Sequence, residues 1–365
     1  MPLQFGIDTS SMWDVVSQRR IELEYLAAAN KPREDFIGDF LLIRNAWALL
    51  PSGCLHKPLD CQALMTNAAV IQHDQRFTDN DDCRRRFCRI DCETNETPES
   101  KPLLRATQLL KAMFGKWQAF ASSIDWSNTH VVLFTPTEVN AQLWLQTVLT
   151  TWPQDIAARG YSVANGDVES WVENQLLKNS GPEHLLCLSI DSWVTSAGLL
   201  MSKSDDALGE SIAALSLRRA SRCTSKEIGE GRLHPAQRKQ HEPRKMQGRL
   251  HTADLDALVE QLGQQSDTDM AKIAGVVTDG LVKDSRASQL NAFMQAHFGV
   301  IELSERAVGV SDLSAHVGHC ATVIAQLAIA YWLAIESAED GTLVLDRYRA
   351  STTAGWLLTH APQQL

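Results

Sequence analysis

The sequence lacks a surplus of positive charge. Its 34 Lys and Arg stand against 44 Asp and Glu, a formal net charge of -10 over 365 residues. The overall balance therefore attracts neither nucleic acid nor an anionic membrane surface. No uninterrupted apolar run is long enough to span a bilayer. The segment after Met1 has neither the basic start nor the apolar stretch of a secretory signal. These absences lead to the expectation of a soluble, cytoplasmic globular protein that binds no nucleic acid and no membrane. Common catalytic signatures are missing as well: there is no G-x-S-x-G elbow, no G-x-G-x-x-G and no H-E-x-x-H. Gly115-Lys116 lacks the upstream Gly and the following Ser or Thr of a phosphate-binding loop.

A disulfide framework is also absent. The 8 cysteines are too few for a chain of this length and are read as free thiols. Cys83, Cys88 and Cys92, with His73 upstream, invite comparison with a metal site, but their spacing is not that of the paired C-x2-C knuckle. They are expected to be solvated or half-buried thiols beside Arg84, Arg85 and Arg86, and no cofactor is implied. What the chain does have is 44% hydrophobic residues, enough to bury one large core or two medium ones. The 10 Trp are expected chiefly in that core, although Trp144, Trp152 and Trp171 would also suit a contact surface.

In chain order, Asp8-Thr9-Ser10-Ser11 caps an amphipathic run toward Leu26, and a mixed segment from Phe36 to Leu50 ends at Pro51-Ser52-Gly53. Residues 72–100 turn polar and charged, as an exposed excursion would. Leu103 to Trp117 repeats at helical spacing, and Val131 to Phe134 reads as a buried strand. A helix from Val168 to Leu177, a strand from Leu185 to Ile190 and a strand from Ile212 to Leu217 follow. Residues 219–250 are basic and poor in large apolar side chains, which reads as an exposed linker. Beyond it come a helix at Ala253 to Leu262, a strand at Ile273 to Thr278 and a helix near Ser288 to Met294. Gly318 to Glu336 reads as a fully buried helix, and strands at Thr342 to Leu345 and Gly355 to Leu358 could pair. The expected domains are 1–218 and 251–365, joined by 219–250.

Gly318-His319 at the mouth of that buried helix, followed by small residues and Gln326-Leu327-Ala328, resembles the second-half Gly-His helix of the β-ketoacyl synthases, in the wider thiolase-like superfamily. The recurrence of strand, helix and strand in both halves agrees with it. The resemblance implies an α/β fold, the duplicated, layered α/β/α/β/α fold of the thiolases. It also implies a nucleophilic Cys at a helix N-terminus and two His that stabilise developing negative charge. The nucleophile position falls around Ala164-Asn165-Gly166, which contains no Cys. The first His position falls on Asp279, and the Lys shortly before the second His is Ser314; Gly318 and His319 alone match.

With those positions lost, the resemblance implies a pseudoenzyme in which His319 is structural. Degenerate ketosynthase-like proteins of this kind accompany bacterial type VI secretion effectors. The expected role is therefore an adaptor or co-chaperone whose partner is a secretion effector or its chaperone, as a homodimer or paired with a related chain. The competing expectation is an acyltransferase or condensing enzyme using a relocated Cys with His319.

Overall fold

The computed structural model describes residues 40–66, 71–78, 84–92, 102–177, 181–194, 207–219, 231–240, 252–269, 273–279, 285–298, 310–312, 322–337, 341–347 and 352–360. Gly318, His319, Ser314, Cys320, Cys83 and the run toward Leu26 lie outside the described residues.

The chain enters the sheet with β1 (Leu41–Leu50) and β2 (Gly53–Leu55), followed by α1 (Pro58–Thr66), β3 (Gln72–Thr78) and β4 (Arg84–Cys88). Then come α2 (Pro102–Lys116), α3 (Gln118–Ala121), β5 (Thr129–Phe134), α4 (Ala141–Thr151), β6 (Gly160–Val163), α5 (Val168–Leu177), β7 (His184–Ser192) and β8 (Ala207–Arg219). The second part holds β9 (Gly231–Leu233), β10 (Gln237–Gln240), α6 (Ala253–Ser266), β11 (Ile273–Thr278) and α7 (Ser285–Phe298). It closes with β12 (Val310–Asp312), α8 (Val323–Ser337), β13 (Gly341–Asp346) and β14 (Thr352–His360).

The strand order exposes a duplication. The main path of the 14-stranded sheet runs β12-β11-β13-β14-β9-β1-β8-β7-β5-β6. Its two ends carry the same pattern, in which β6, β5, β7, β8 and β1 match β12, β11, β13, β14 and β9. The first three of each set pair in parallel and the remaining junctions are antiparallel. The helices match too, since α4 and α7 follow the second strand of each set, and α5 and α8 precede the third. The two halves join where β1 pairs with β9, Leu41 opposite Leu233 and Ile43 opposite Gly231. Glycine at 231 suits that junction, because a Cβ there would stand 3.0 Å from the Tyr331 ring.

Composition explains the layers. β7 (His184–Ser192) is a nearly continuous apolar run, buried from Leu185 on, as expected of a strand covered on both faces. α8 is apolar nearly all round and packs against β1, β8, β11, β13 and β14, strands of both halves. Its Tyr331 hydroxyl donates to the Arg44 carbonyl at 3.0 Å, and Trp332 Nε1 donates to the Ala46 carbonyl at 3.0 Å. On the outer faces, α2 packs on β7, β8 and α4, while α6 packs on β14, β10 and α7. Two apolar clusters result, one around Leu109, Trp117, Val131 and Leu186, the other around Leu258, Phe293, Leu343 and Leu357.

Three expectations need correction. The polar stretch 72–100 is not simply an exposed excursion: β3 pairs with β4, β4 runs parallel to β8, and Phe87, Cys88 and Ile90 are buried. The basic segment 219–250 is not wholly a linker, for β9 supplies a sheet strand to the second half and β10 pairs with β14. Leu233, His234 and Ala236 are buried there because neighbouring strands, not local composition, cover them. Finally, Trp144, Trp152 and Trp171 are all buried and offer no contact surface.

Candidate functional site

The start of α5 is built by a tight turn. After β6 the Ala164 amide donates to the Leu133 carbonyl at 2.9 Å, and Gly166 takes φ = 81°, a left-handed conformation that favours glycine. Asp167 then caps the helix: its Oδ1 accepts the Ser170 amide at 2.9 Å, satisfying one of the orphan donors of the first turn. This is the 164–166 stretch at which the resemblance requires a nucleophilic Cys.

Around this turn lies a network of buried charge. Arg238, on β10, donates through Nη2 to Asp167 Oδ2 at 3.2 Å and to the Glu169 carboxylate. Burial pushes Glu169 up to about 8, and the charges of Asp167 and Asp346 add to the rise against the pull of Arg238. Burial acts upward on Asp167 as well, but hydrogen bonds from Glu169 and Ser170, with the Arg238 charge, bring it down to about 2. A carboxyl and a carboxylate therefore share one proton at neutral pH.

Asp346 connects this pair to a second one. Asp279, one residue past β11, accepts the Arg347 amide at Oδ2 at 2.5 Å, with the Arg347 guanidinium 3.7 Å from Oδ1. Burial raises Asp279 to about 7, Asp346 adds to the rise, and Arg347 opposes it. In the first half Asp191 plays the corresponding part. At the end of β7 it accepts the Thr137 amide and hydroxyl, both at 3.0 Å, and burial raises its pKa as well. In each half a buried carboxyl thus ties the end of the second strand of the set to the end of the third.

Burial pushes Cys54 up to about 11 and also raises Cys88, Cys92 and Cys187, which works against the thiolate at these four. Cys88 is buried and Cys92 half-buried, and no group of three possible metal ligands occurs among the described residues. None of the described helices is long and apolar enough to cross a membrane.

Gln326, in the first turns of α8, is fully buried, and among the described residues neither atom of its amide has a hydrogen-bond partner. Nearby in sequence, Thr322 meets Ser211 of β8 at 2.7 Å. Replacing Gln326 with leucine removes a buried polar group of similar volume. It is expected to raise unfolding stability by about 1–3 kcal/mol. A fall in the urea midpoint would contradict that.

Sequence reasoning singled out Asp279 and the 164–166 turn, and the fold sets each at the start of a buried charged cluster. It did not find Asp167, Glu169, Arg238, Asp346 or Arg347. The only local signal was the Asp-x-Glu at the head of a helix, which ordinarily marks a solvated first turn.

No family model matches the sequence, and no curated protein matches it. Solved structures do. The ishigamide ketosynthase/chain length factor superposes with a TM-score of 0.55 at 11% identity, covering 88% of this chain and 99% of that one. The ketosynthase from module 6 of the bacillaene synthase of Bacillus subtilis 168 gives 0.57 at 11% identity, covering 88% and 72%. A β-ketoacyl synthase from Burkholderia phymatum STM815 gives 0.53 at 11% identity, covering 88% and 99%. At such identities the likeness is one of fold: this chain has the duplicated ketosynthase-like, thiolase-like fold.

Proposed function

We propose that this chain uses a ketosynthase-like scaffold to bind another protein and does not condense acyl groups. One observation carries the reading. Where acyl condensation by this fold would need a Cys thiolate, the turn into α5 holds Gly166 and Asp167, with Glu169 and Arg238 closing a buried ion network behind them. Asp279, at the first His position, is engaged with Arg347. Its Oδ2 accepts a backbone amide and its Oδ1 stands 3.7 Å from the Arg347 guanidinium, whereas oxyanion stabilisation by this fold needs the imidazole of a His at that position.

The finer assignment rests on resemblance. The partner is a bacterial type VI secretion effector or its chaperone, met in the cytoplasm, and the chain works as a homodimer or beside a related subunit. Affinity purification of the tagged chain from its native cell, with mass spectrometry of what co-purifies, tests it. A secretion effector or chaperone in stoichiometric amount is the expected result. In parallel, the purified protein is incubated with acyl-CoA and its intact mass measured. A thioester adduct on any of its cysteines would overturn the non-catalytic reading and restore an acyltransferase with a relocated nucleophile.

A further inference from the structure

We propose that Asp167, Glu169 and Arg238, with Asp279, Asp346 and Arg347, form a proton-operated latch that fastens the head of α5 to the second half of the sheet. α5 belongs to the first half, and its body stays there. Trp171 packs edge-on against Phe134 of β5, with ring centroids 5.8 Å apart, and Gln175 accepts from Arg219 of β8 at 2.8 Å. Its charged head reaches across. Arg238, which grips both Asp167 and Glu169, lies on β10, and β10 is paired with β14 of the second half. Asp346, whose charge acts on both Glu169 and Asp279, ends β13, and Asp279 follows β11.

Charge balance makes the latch proton-dependent. One guanidinium nitrogen of Arg238 meets both Asp167 and Glu169, and the Asp346 charge bears on both Glu169 and Asp279, so two buried carboxyls each face a second carboxyl and their full ionisation is disfavoured. The groups facing Glu169 are Asp167 on its own helix, Arg238 from β10 and Asp346 from β13; those facing Asp279 are Asp346 and Arg347. The network resolves the conflict by holding protons on Glu169, up to about 8, and on Asp279, up to about 7. Both carboxyls are raised above their unfolded values, so folding takes up protons between the ordinary carboxylate range and those values. Their stabilising contribution is complete below that range and declines as pH rises toward 8. Asp167, at about 2, stays ionised throughout and anchors Arg238.

The test compares the wild-type protein with Glu169→Gln, which carries a neutral amide at every pH and can still donate to Asp167. Melting temperature is followed from about pH 5.5 to about pH 9, and amide exchange of residues 170–177 is measured at about pH 6 and about pH 8.5, corrected for intrinsic rates. The wild type is expected to lose several degrees across the window. Its α5 amides should exchange about tenfold faster at the higher pH while the α8 amides do not. Glu169→Gln is expected to flatten the decline. Two results would overturn the latch: equal pH slopes for variant and wild type, or α5 protection in the wild type that does not change with pH. The exchange measurement needs no variant, so a poorly folding Glu169→Gln leaves the proposal open to refutation.

Discussion

Replacing Arg105 with methionine is expected to cost about 3–5 kcal/mol of folding stability, because it strands a carboxylate in the interior. Glu210 on β8 is fully buried, and its oxygens receive Arg105 Nε at 2.7 Å, Arg105 Nη2 at 2.6 Å, the Ser192 hydroxyl at 2.8 Å and the Ile90 amide at 2.9 Å. Arg105 also donates to the Ile90 carbonyl at 2.9 Å and to Gln108 Oε1 at 3.1 Å. One fork thus pins α2 and the segment after β4 to the middle of the sheet. Removing the guanidinium leaves the hydroxyl and amide of Ser192 and Ile90 to hold an uncompensated charge. Removing both charges is different: Arg105→Met with Glu210→Leu has no stranded ion, and most of the loss should return. Urea unfolding of the two single variants and the double provides the cycle. An Arg105→Met protein within about 1 kcal/mol of wild type would show that the fork is not what holds this face together.

How much of this could be read in the residues depends on where each signal resides. β5 and β7 announce themselves as apolar runs, and α2 and α6 as helical repeats, because those patterns are local. The pairing of Thr342 to Leu345 with Gly355 to Leu358 was also legible, and the structure places Thr342 opposite Leu358 and Leu345 opposite Gly355. β1 read only as a mixed segment: Arg44 and Asn45 interrupt it, and its register shifts between Ile43 and Asn45. β4, β9 and β10 were missed for a related reason. Arg84 to Arg86 and Arg238-Lys239 carry the charge of a surface loop, and pairing with β8, β1 and β14 overrides that composition. The charged site was least legible of all. Asp167 and Arg238 are separated by 71 residues and meet only because the halves are folded against one another. Of the resemblance's own positions, the 164–166 turn and Asp279 lie within the described residues, while Ser314, Gly318 and His319 lie outside them.

The tryptophans bear on the proposed binding role from the other side. Trp117→Ala is expected to cost about 3–5 kcal/mol, the range for deleting a large buried aromatic side chain. The ring is 1% exposed and sits within a cage formed by Phe114, Phe120, Trp126 and Trp152, with centroid separations of 5.3, 6.3, 5.7 and 5.5 Å. Trp152 lies edge-on to Trp117, Phe114 and Tyr161, so the cage continues from the α2–α3 junction to the end of α4 and on to β6. Deleting its central ring removes edge-to-face contacts as well as apolar burial, and leaves a void that the surrounding rigid rings close poorly. Trp117→Phe keeps a ring in place and should lose clearly less. The pair is read by thermal and urea unfolding, with near-ultraviolet circular dichroism reporting the loss of coupled indole signal. A Trp117→Ala protein as stable as wild type would mean that the cage is not packed as described. With these rings committed to the interior, any surface that captures a partner must be drawn from other residues. Leu143 and Leu149 on α4 are exposed large apolar side chains among the described residues.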